Sequence, residues 1–263
     1  MKYILDVDAS KVIEAVRSTG VTITPAMMHY AHVICSGLKS TGMWQNSVAI
    51  YGILGGTAAS HKWNWKDLRD VDAAFRLSFI GGVTHNDLGI KSNGTTGYAN
   101  TFLAPLTSLT LNNTHLSAYI NDNQTSGGSW DMGVTNANAS IALALRVRAT
   151  GNRLSVDMYD EANGFIDNFN ITNAIGTTIA TRTASNSLKV FKNSNLINSI
   201  TSTGGSLSAG TMYLLARNAQ PVAGGFSTLR GAFYSIGLGL TDSQAIGSSQ
   251  IITQAQSILN RAL

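Results

Sequence analysis

Three groups of side chains in this sequence have the types and spacing for chemistry. The first is acidic. Asp157, Asp160 and Glu161 stand together in VDMYDEANG. Glycoside hydrolysis needs such a set, with an acid facing a second carboxylate across a cleft at ~5–10 Å. Here the carboxylates fall where a strand runs into a turn, with no aromatic-rich strand around them, so the plainer reading is a solvated hairpin end. Two further clusters, Asp67, Asp70 and Asp72 in KDLRDVD and Asn121-Asp122-Asn123, offer oxygen ligands for calcium. Neither has the EF-hand spacing with its closing Glu. Lys66 and Arg69 interleave the first cluster and favour local ion pairs. Calcium is the one cofactor this sequence suggests, and weakly.

The second group is His29, His32 and Cys35, spaced i, i+3, i+6 on one helical segment. Three ligands so placed converge only in part, and no second pair completes a zinc set. Cys35 lies on the apolar stripe, where burial raises a thiol pKa and works against a nucleophile. The third group is aromatic. HKWNWK at residues 61–66 alternates cations with Trp63 and Trp65. Such interleaving suits single-stranded nucleic acid or sugar rings. It equally suits a strand with both indoles inward and Lys62, Asn64 and Lys66 in water, which is the favoured reading. Trp130 sits in the small-residue run SGGSWDMG. It either stacks on a sugar or plugs the end of the fold. No GxSxG, HExxH, P-loop or GxGxxG motif occurs.

The elements that must hold these residues change character along the chain. Asp8 reads as the cap of a short helix from Ala9 to Thr19. Thr24-Pro25 opens a second, whose apolar positions Met27, Tyr30, Ala31, Ile34, Cys35 and Leu38 keep helical spacing until Gly42. After Gly42 the period becomes 2. Residues 75–79, 116–120, 141–148, 154–159, 188–192, 196–201, 211–216 and 232–238 read as strands, with Thr150-Gly151-Asn152 and Lys192-Asn193-Ser194-Asn195 as hairpin turns. Ile141, Leu143, Leu145 and Val147 alternate with Ala142, Ala144, Arg146 and Arg148. Such alternation belongs to antiparallel sheets with one buried face, and Leu143, Leu145, Leu154, Val156 and Met158 are the expected shared core of two packed sheets. Thr241 and Gln244 form a capping box for a C-terminal helix carrying Ile251, Ile252, Ala255, Ile258 and Leu259. The expected organisation is a helical segment over 1–48, a sandwich over 49–240 and a helix over 241–263.

Composition agrees. Of 263 residues only 12% are charged, about half the usual ~25%, while Ser, Thr and Asn number 27, 26 and 22. That excludes a coiled coil, and a hydrophobic fraction of 44% excludes a disordered tail. The net charge of +4 is spread along the chain rather than gathered in a stripe, so nucleic acid is not an expected partner. No apolar run of ~20 residues suggests membrane insertion. MKYILDVDAS does not continue into the core of a signal peptide. A single cysteine allows no intrachain disulfide.

Two blocks carry a resemblance. IYGILGGTAASHKWNWKDLRDVDAAFRLSFIGGVTHNDLGIKSNGTTGYANTFLAP, residues 50–105, with LKSTGMW before it at 38–44, resembles a block in tail and other virion structural proteins of bacteriophages infecting Bacteroidetes and related hosts. Gly52 departs from that block, where proline is expected. RGAFYSIGLGLTDSQAI, residues 230–246, and the hairpin SLKVFKNSNLINSIT resemble the closing strand and a hairpin of laminin-G and concanavalin-like domains. The resemblance implies a concanavalin-like antiparallel β-sandwich, or jelly roll, with N-terminal helices and a C-terminal helix. It implies a structural component of a phage particle, tail, fibre or decoration protein, made in the host cytoplasm without a signal peptide; that no acid/base pair or nucleophile set stands out in the sequence makes a non-enzymatic role the expectation. Other virion proteins and copies of the same chain are the partners it implies, and it carries over no site residues. The alternative is a lectin-like module for host surface polysaccharide, with Trp130, Trp63 and Trp65 as candidate stacking residues. An exposed Trp or Tyr cluster on a sheet face would support it. A glycoside hydrolase or lyase comes third. The apolar stripe Ile251, Ile252, Ile258 and Leu259 needs cover, either from this chain's own sheet or from an assembly partner.

Overall fold

The computed structural model describes residues 5–125, 127–136, 142–160, 166–201, 203–220 and 222–261. In chain order they form α1 (Val7–Arg17), α2 (Pro25–Thr41), the one-turn α3 (Met43–Asn46), β1 (Ser47–Tyr51), the one-turn α4 (Ala58–His61), β2 (Ser78–Ile80), β3 (Val83–Asn86), β4 (Gly89–Ser92) and β5 (Tyr98–Asn100). After the one-turn α5 (Pro105–Ser108) come β6 (Thr114–Ile120), β7 (Met132–Thr135), β8 (Ala142–Ala149), β9 (Arg153–Met158), β10 (Ile166–Asn170), β11 (Gly176–Ala184), β12 (Ser187–Lys192) and β13 (Asn195–Ile200). The short β14 (Tyr213–Leu214), β15 (Arg217–Asn218) and β16 (Ala223–Gly224) precede β17 (Arg230–Gly237) and α6 (Asp242–Ile258).

The strands make two sheets packed face to face. Sheet I runs β13-β12-β11-β6-β17-β4-β3, with β1 also paired to β17. Sheet II runs β10-β9-β8-β7-β14-β5-β2, with β15 against β7 and β16 against β15. Pairing is antiparallel except between β15 and β7. Period-2 alternation decides what each row of sheet II does. Val156, Leu145, Met132, Leu214, Ala99 and Phe79 stand in register across six strands and pack into the core between the sheets. The neighbouring row points the other way. The five expected core residues Leu143, Leu145, Leu154, Val156 and Met158 are all fully buried there; Ile141 lies outside the described residues.

The central strands of sheet I, β12, β11, β6 and β17, are buried on both sides, whereas its edges β3 and β13 are not. Its inner face gives Leu116, Ala118, Ala180, Val190 and Ile236 to the sandwich core. Its outer face gives Tyr119, Ile179, Phe191 and Phe233 to a second core made with α1, α2 and α6. The terminal helices are thus a third layer on the sandwich, continuous with sheet I. Ile252 is fully buried in this layer, and Ile251, Ile258 and Leu259 are half-buried against it. The stripe finds its cover within the chain and gives no reason of its own for a partner.

Several boundaries differ from expectation. Asp6, not Asp8, caps α1, accepting from the backbone N–H groups of Asp8 and Ala9. Lys39 of α2 fixes it there with an ion pair of 2.7 Å, and Asp8 becomes a first-turn acid bonded to Lys11 and Lys39. The strand expected at 75–79 starts only at Ser78, because the turn Asp72–Ala74 ends with Phe75 in the left-handed region at φ 59°. The strand expected at 211–216 breaks at Leu215, φ 65°, whose N–H turns aside to Asp131 O at 2.8 Å. Thr24, Pro25, Gly42 and the Thr241–Gln244 capping box do what the sequence indicates.

The helices cross at closest approach where α2 carries Gly37. A β-carbon there would stand 2.5 Å from Ile251 Cγ2. Gly37→Ala is expected to lower stability by ~1–3 kcal/mol, the usual cost of overpacking. In the Gly37→Ala/Ile251→Ala double variant the two effects should fall short of additivity, which denaturant midpoints of all four proteins would measure.

Candidate functional site

With the central strands of sheet I covered on both sides, the sheet surface left partly open is the β14-β5-β2 end of the outward face of sheet II, whose β9-β8-β7 end is largely buried. Its row reads Asp157, Ala144, Gly133, Tyr213, Asn100 and Ser78 across β9, β8, β7, β14, β5 and β2. Tyr98 lies two residues from Asn100 and is the diagonal neighbour of Tyr213, a position from which long side chains meet. The two rings stack, with centroids 4.5 Å apart and planes at 28°. Phe226 joins them at 6.3 Å from Tyr98. All three rings are half-buried.

Trp130 lies on the β8 part of this face. Its N–H donates to Gly225 O at 2.6 Å, its backbone bridges to Phe226, and its ring packs on Ala142 and Ala144. The small residues of β7 and β8 leave room for the indole. Gly225, φ 62°, admits it from the other side, since a β-carbon there would meet Trp130 Cδ1 at 2.7 Å. The guanidiniums of Arg146 and Arg217 lie over the ring at 4.7 and 5.2 Å. Arg146 also donates to Ser155 Oγ from Nε, at 3.1 Å, and from Nη2, at 2.6 Å. Aromatic rings on a sheet face can stack against the C–H face of a sugar ring.

The residues singled out from the sequence behave differently. Trp130 is 5% exposed, Trp63 7% and Trp65 3%, so none of the three offers a ring face to a ligand. Residues 61–66 are not an alternating strand. Lys62 pairs with Asp70 and lies over Trp63 at 4.6 Å, and Lys66 lies over Trp44 at 4.8 Å. Asn64, expected in water, is buried. Its Oδ1 accepts from Ile50 N at 3.0 Å and its Nδ2 donates to Ala74 O at 2.9 Å, which satisfies backbone groups that no strand reaches. The acidic run is taken up in ion pairs, Asp67 with Arg69 and Asp72 with Arg76, and Asp122 with Lys91. Cys35 is fully buried and its thiol is pushed well above the usual range by burial. Among the described residues no group of three His, Cys, Asp or Glu can hold a metal ion.

The carboxylates of β9 are the largest correction. Asp157 and Asp160 are not at a solvated hairpin end; both are buried. Asp157 Oδ1 accepts from Asp160 N at 3.0 Å, and Asp160 faces the buried guanidinium of Arg182 across the sandwich end. Burial pushes the Asp157 carboxyl up to about 8, the charge of Asp160 adds to that, and Arg182 opposes it. Its work is to hold a turn whose middle residue, Tyr159, is left-handed at φ 69°. Glu161 lies outside the described residues.

No protein-family model matches the chain, and no curated relative does. Solved structures share its fold at low identity. Domain 4 of the extracellular arabinanase AbnA from Geobacillus stearothermophilus, solved in complex with arabinotriose, superposes with a TM-score of 0.53 and 14% identity over 78% of this chain and 98% of that one. A mutant Trypanosoma rangeli sialidase displaying trans-sialidase activity gives 0.54 and 9% over 89% of this chain and 40% of that one. The receptor-binding domain of botulinum neurotoxin C/D mosaic serotype gives 0.53 and 11% over 79% and 51%. This chain therefore spans about half or less of the sialidase and neurotoxin chains, and nearly all of the arabinanase domain. At such identities the likeness is one of fold, a two-sheet antiparallel sandwich.

The aromatic residues of the outward face carry a signal that the reading of the sequence passed over. Tyr213 stands between Met212 and Leu214, both buried, so strand alternation alone puts it on the open face. Tyr98 relates in the same way to Ala99.

The state of Asp157 has a pH signature. A carboxyl raised in the folded protein contributes stability below its unfolded value near 3.8, and that contribution is lost as pH rises through about 8. Asp157→Asn keeps the acceptor and removes the titration. The melting temperature of the variant relative to wild type is expected to rise steadily from pH 4 to pH 8; a flat difference would show that Asp157 ionises freely.

Proposed function

We propose that the protein is a non-enzymatic glycan-binding sandwich whose outward face of sheet II takes the sugar. The stacked Tyr98–Tyr213 pair, extended by Phe226, whose backbone bridges to Trp130, carries this reading. Rings at alternating outward positions add nothing to the sandwich core. Tyrosine supplies a large, rigid, amphipathic contact at low entropic cost. The fold does not by itself choose a function, yet it agrees: an arabinanase domain of this fold was solved with arabinotriose, and a neurotoxin domain of this fold is a receptor-binding domain. The burial of Asp157 and Asp160 supports binding without catalysis, since neither carboxylate faces a cleft.

The setting we propose is a bacteriophage particle, on the strength of the block at residues 50–105. A module that adsorbs to host surface polysaccharide fits a tail, fibre or decoration protein, and its partners there are other virion proteins and further copies of this chain. Immunogold labelling or mass spectrometry of purified particles tests the setting apart from the binding.

The binding test is affinity electrophoresis through gels containing host capsular polysaccharide. Tyr98→Ala and Tyr213→Ala are each expected to weaken retardation about tenfold, ~1.4 kcal/mol, with unchanged circular dichroism. Retardation unaffected by both would remove the face from the site. Release of reducing ends or unsaturated sugars by the wild-type protein, abolished by Asp157→Ala, would make it an enzyme instead.

A further inference from the structure

A second site lies on the opposite layer. Between the loop before β11, the β12–β13 turn and α6 there is an open cleft of about 550 Å³, within the ~300–1,000 Å³ usual for small-molecule sites. Its walls are Asn173, Asn193, Gln250, Thr253 and Gln254, with Tyr119 also in the lining, and among the described residues no charged side chain lines it. An exposed helix face is ordinarily charged, but here α6 presents Gln250, Thr253 and Gln254.

The cleft is built rather than incidental. Ser194 N donates to Ser249 Oγ at 3.0 Å, which docks the hairpin turn onto α6. Asn193 donates from Nδ2 to Ile175 O at 3.3 Å and holds the wall in place. Asn193 and Ser194 are both left-handed, at φ 48° and 69°. Gly176 lies so close that a β-carbon on it would meet Asn193 Oδ1 at 1.9 Å. By contrast, Gln250 and Gln254 are exposed, and their carboxamides form no hydrogen bond to other described residues. Burial pushes the Tyr119 hydroxyl up to about 12, so it stays a neutral donor.

We infer that this cleft is a second binding site, for a neutral, hydroxyl-rich ligand of the size of a sugar unit. A carboxamide offers both a donor and an acceptor, which matches the paired donor and acceptor character of a hydroxyl. An anion would call for a cation in the lining and a cation for a carboxylate, and neither is there. The inference stands apart from the outward face of sheet II, because the two sites share no residue and lie on opposite layers.

The test is a heteronuclear NMR titration of the intact chain with methyl glycosides of glucose, galactose, mannose and arabinose, and with the methyl glycoside of galacturonic acid, its carboxylate free, as the charged probe. At least one neutral glycoside is expected to shift the side-chain amide signals of Gln250, Gln254 and Asn173. Gln250→Ala/Gln254→Ala should weaken that binding about tenfold or more, and Tyr98→Ala/Tyr213→Ala should leave it unchanged. If no neutral glycoside moves these amides, or the galacturonate moves them more, the inference fails while binding at sheet II stands. If Tyr98→Ala/Tyr213→Ala abolishes the shifts, there is one site and not two.

Discussion

Everything in this molecule is arranged around the burial of the central strands of sheet I on both faces. Its inner rows fill the sandwich, and its outer rows, with Tyr119, Ile179, Phe191 and Phe233, take the helices. Burying each such side chain is worth ~1.5–3 kcal/mol, so the helical layer is held to the sheet by several such contacts. Polar groups under the helices must then pair internally. His115 shows how: Nδ1–H donates to Leu238 O at 2.6 Å, and Nε2 accepts from Ser235 Oγ at 2.9 Å. Burial holds its imidazole neutral, with a pKa near 4. The β14-β5-β2 end of sheet II is left half-open, and its tyrosines Tyr98 and Tyr213 stack on each other outside the sandwich core.

The segment after β1 ties the layers together. Gly52 lies directly under Trp65, where a β-carbon would fall 2.2 Å from the ring. Tyr30 of α2 meets that ring edge-on at 5.9 Å and donates to Gly52 O at 2.6 Å. Any side chain at this position, proline included, would crowd the same ring. Asn64 completes the junction by serving β1 and the Asp72–Ala74 turn at once.

Elements with a strong period were legible in the sequence, and so was the core between the sheets, because alternation over β8 and β9 admits one register only. The interruptions were not. Leu215 and Phe75 leave their strands because distant partners, Asp131 O and the Tyr51 hydroxyl that bonds Phe75 O, claim their backbone. No local pattern announces such partners. The depth of Asp157 was hidden for a related reason: an Asp before a turn usually faces water, and here another part of the sandwich closes over it. The stacking candidates were chosen for being tryptophans, whereas parity along the strand pointed to Tyr98 and Tyr213. Trp130 did contribute, through its backbone bridge to Phe226 and not as a surface.

The pairing of β17 has a kinetic consequence. This strand joins residues 47–51, 89–92 and 114–120 through β1, β4 and β6, yet it is made more than a hundred residues after the last of them. The two parts of sheet I, β13-β12-β11-β6 and β4-β3, cannot join each other or β1 until residues 230–237 exist. During synthesis its earlier strands wait with open edges, the state in which unrelated chains find one another. Contacts so distant along the chain also slow folding once they can form. A cell producing this protein at high level must shelter a long-lived, half-built sheet, and cooler or slower expression should favour native protein over inclusion bodies.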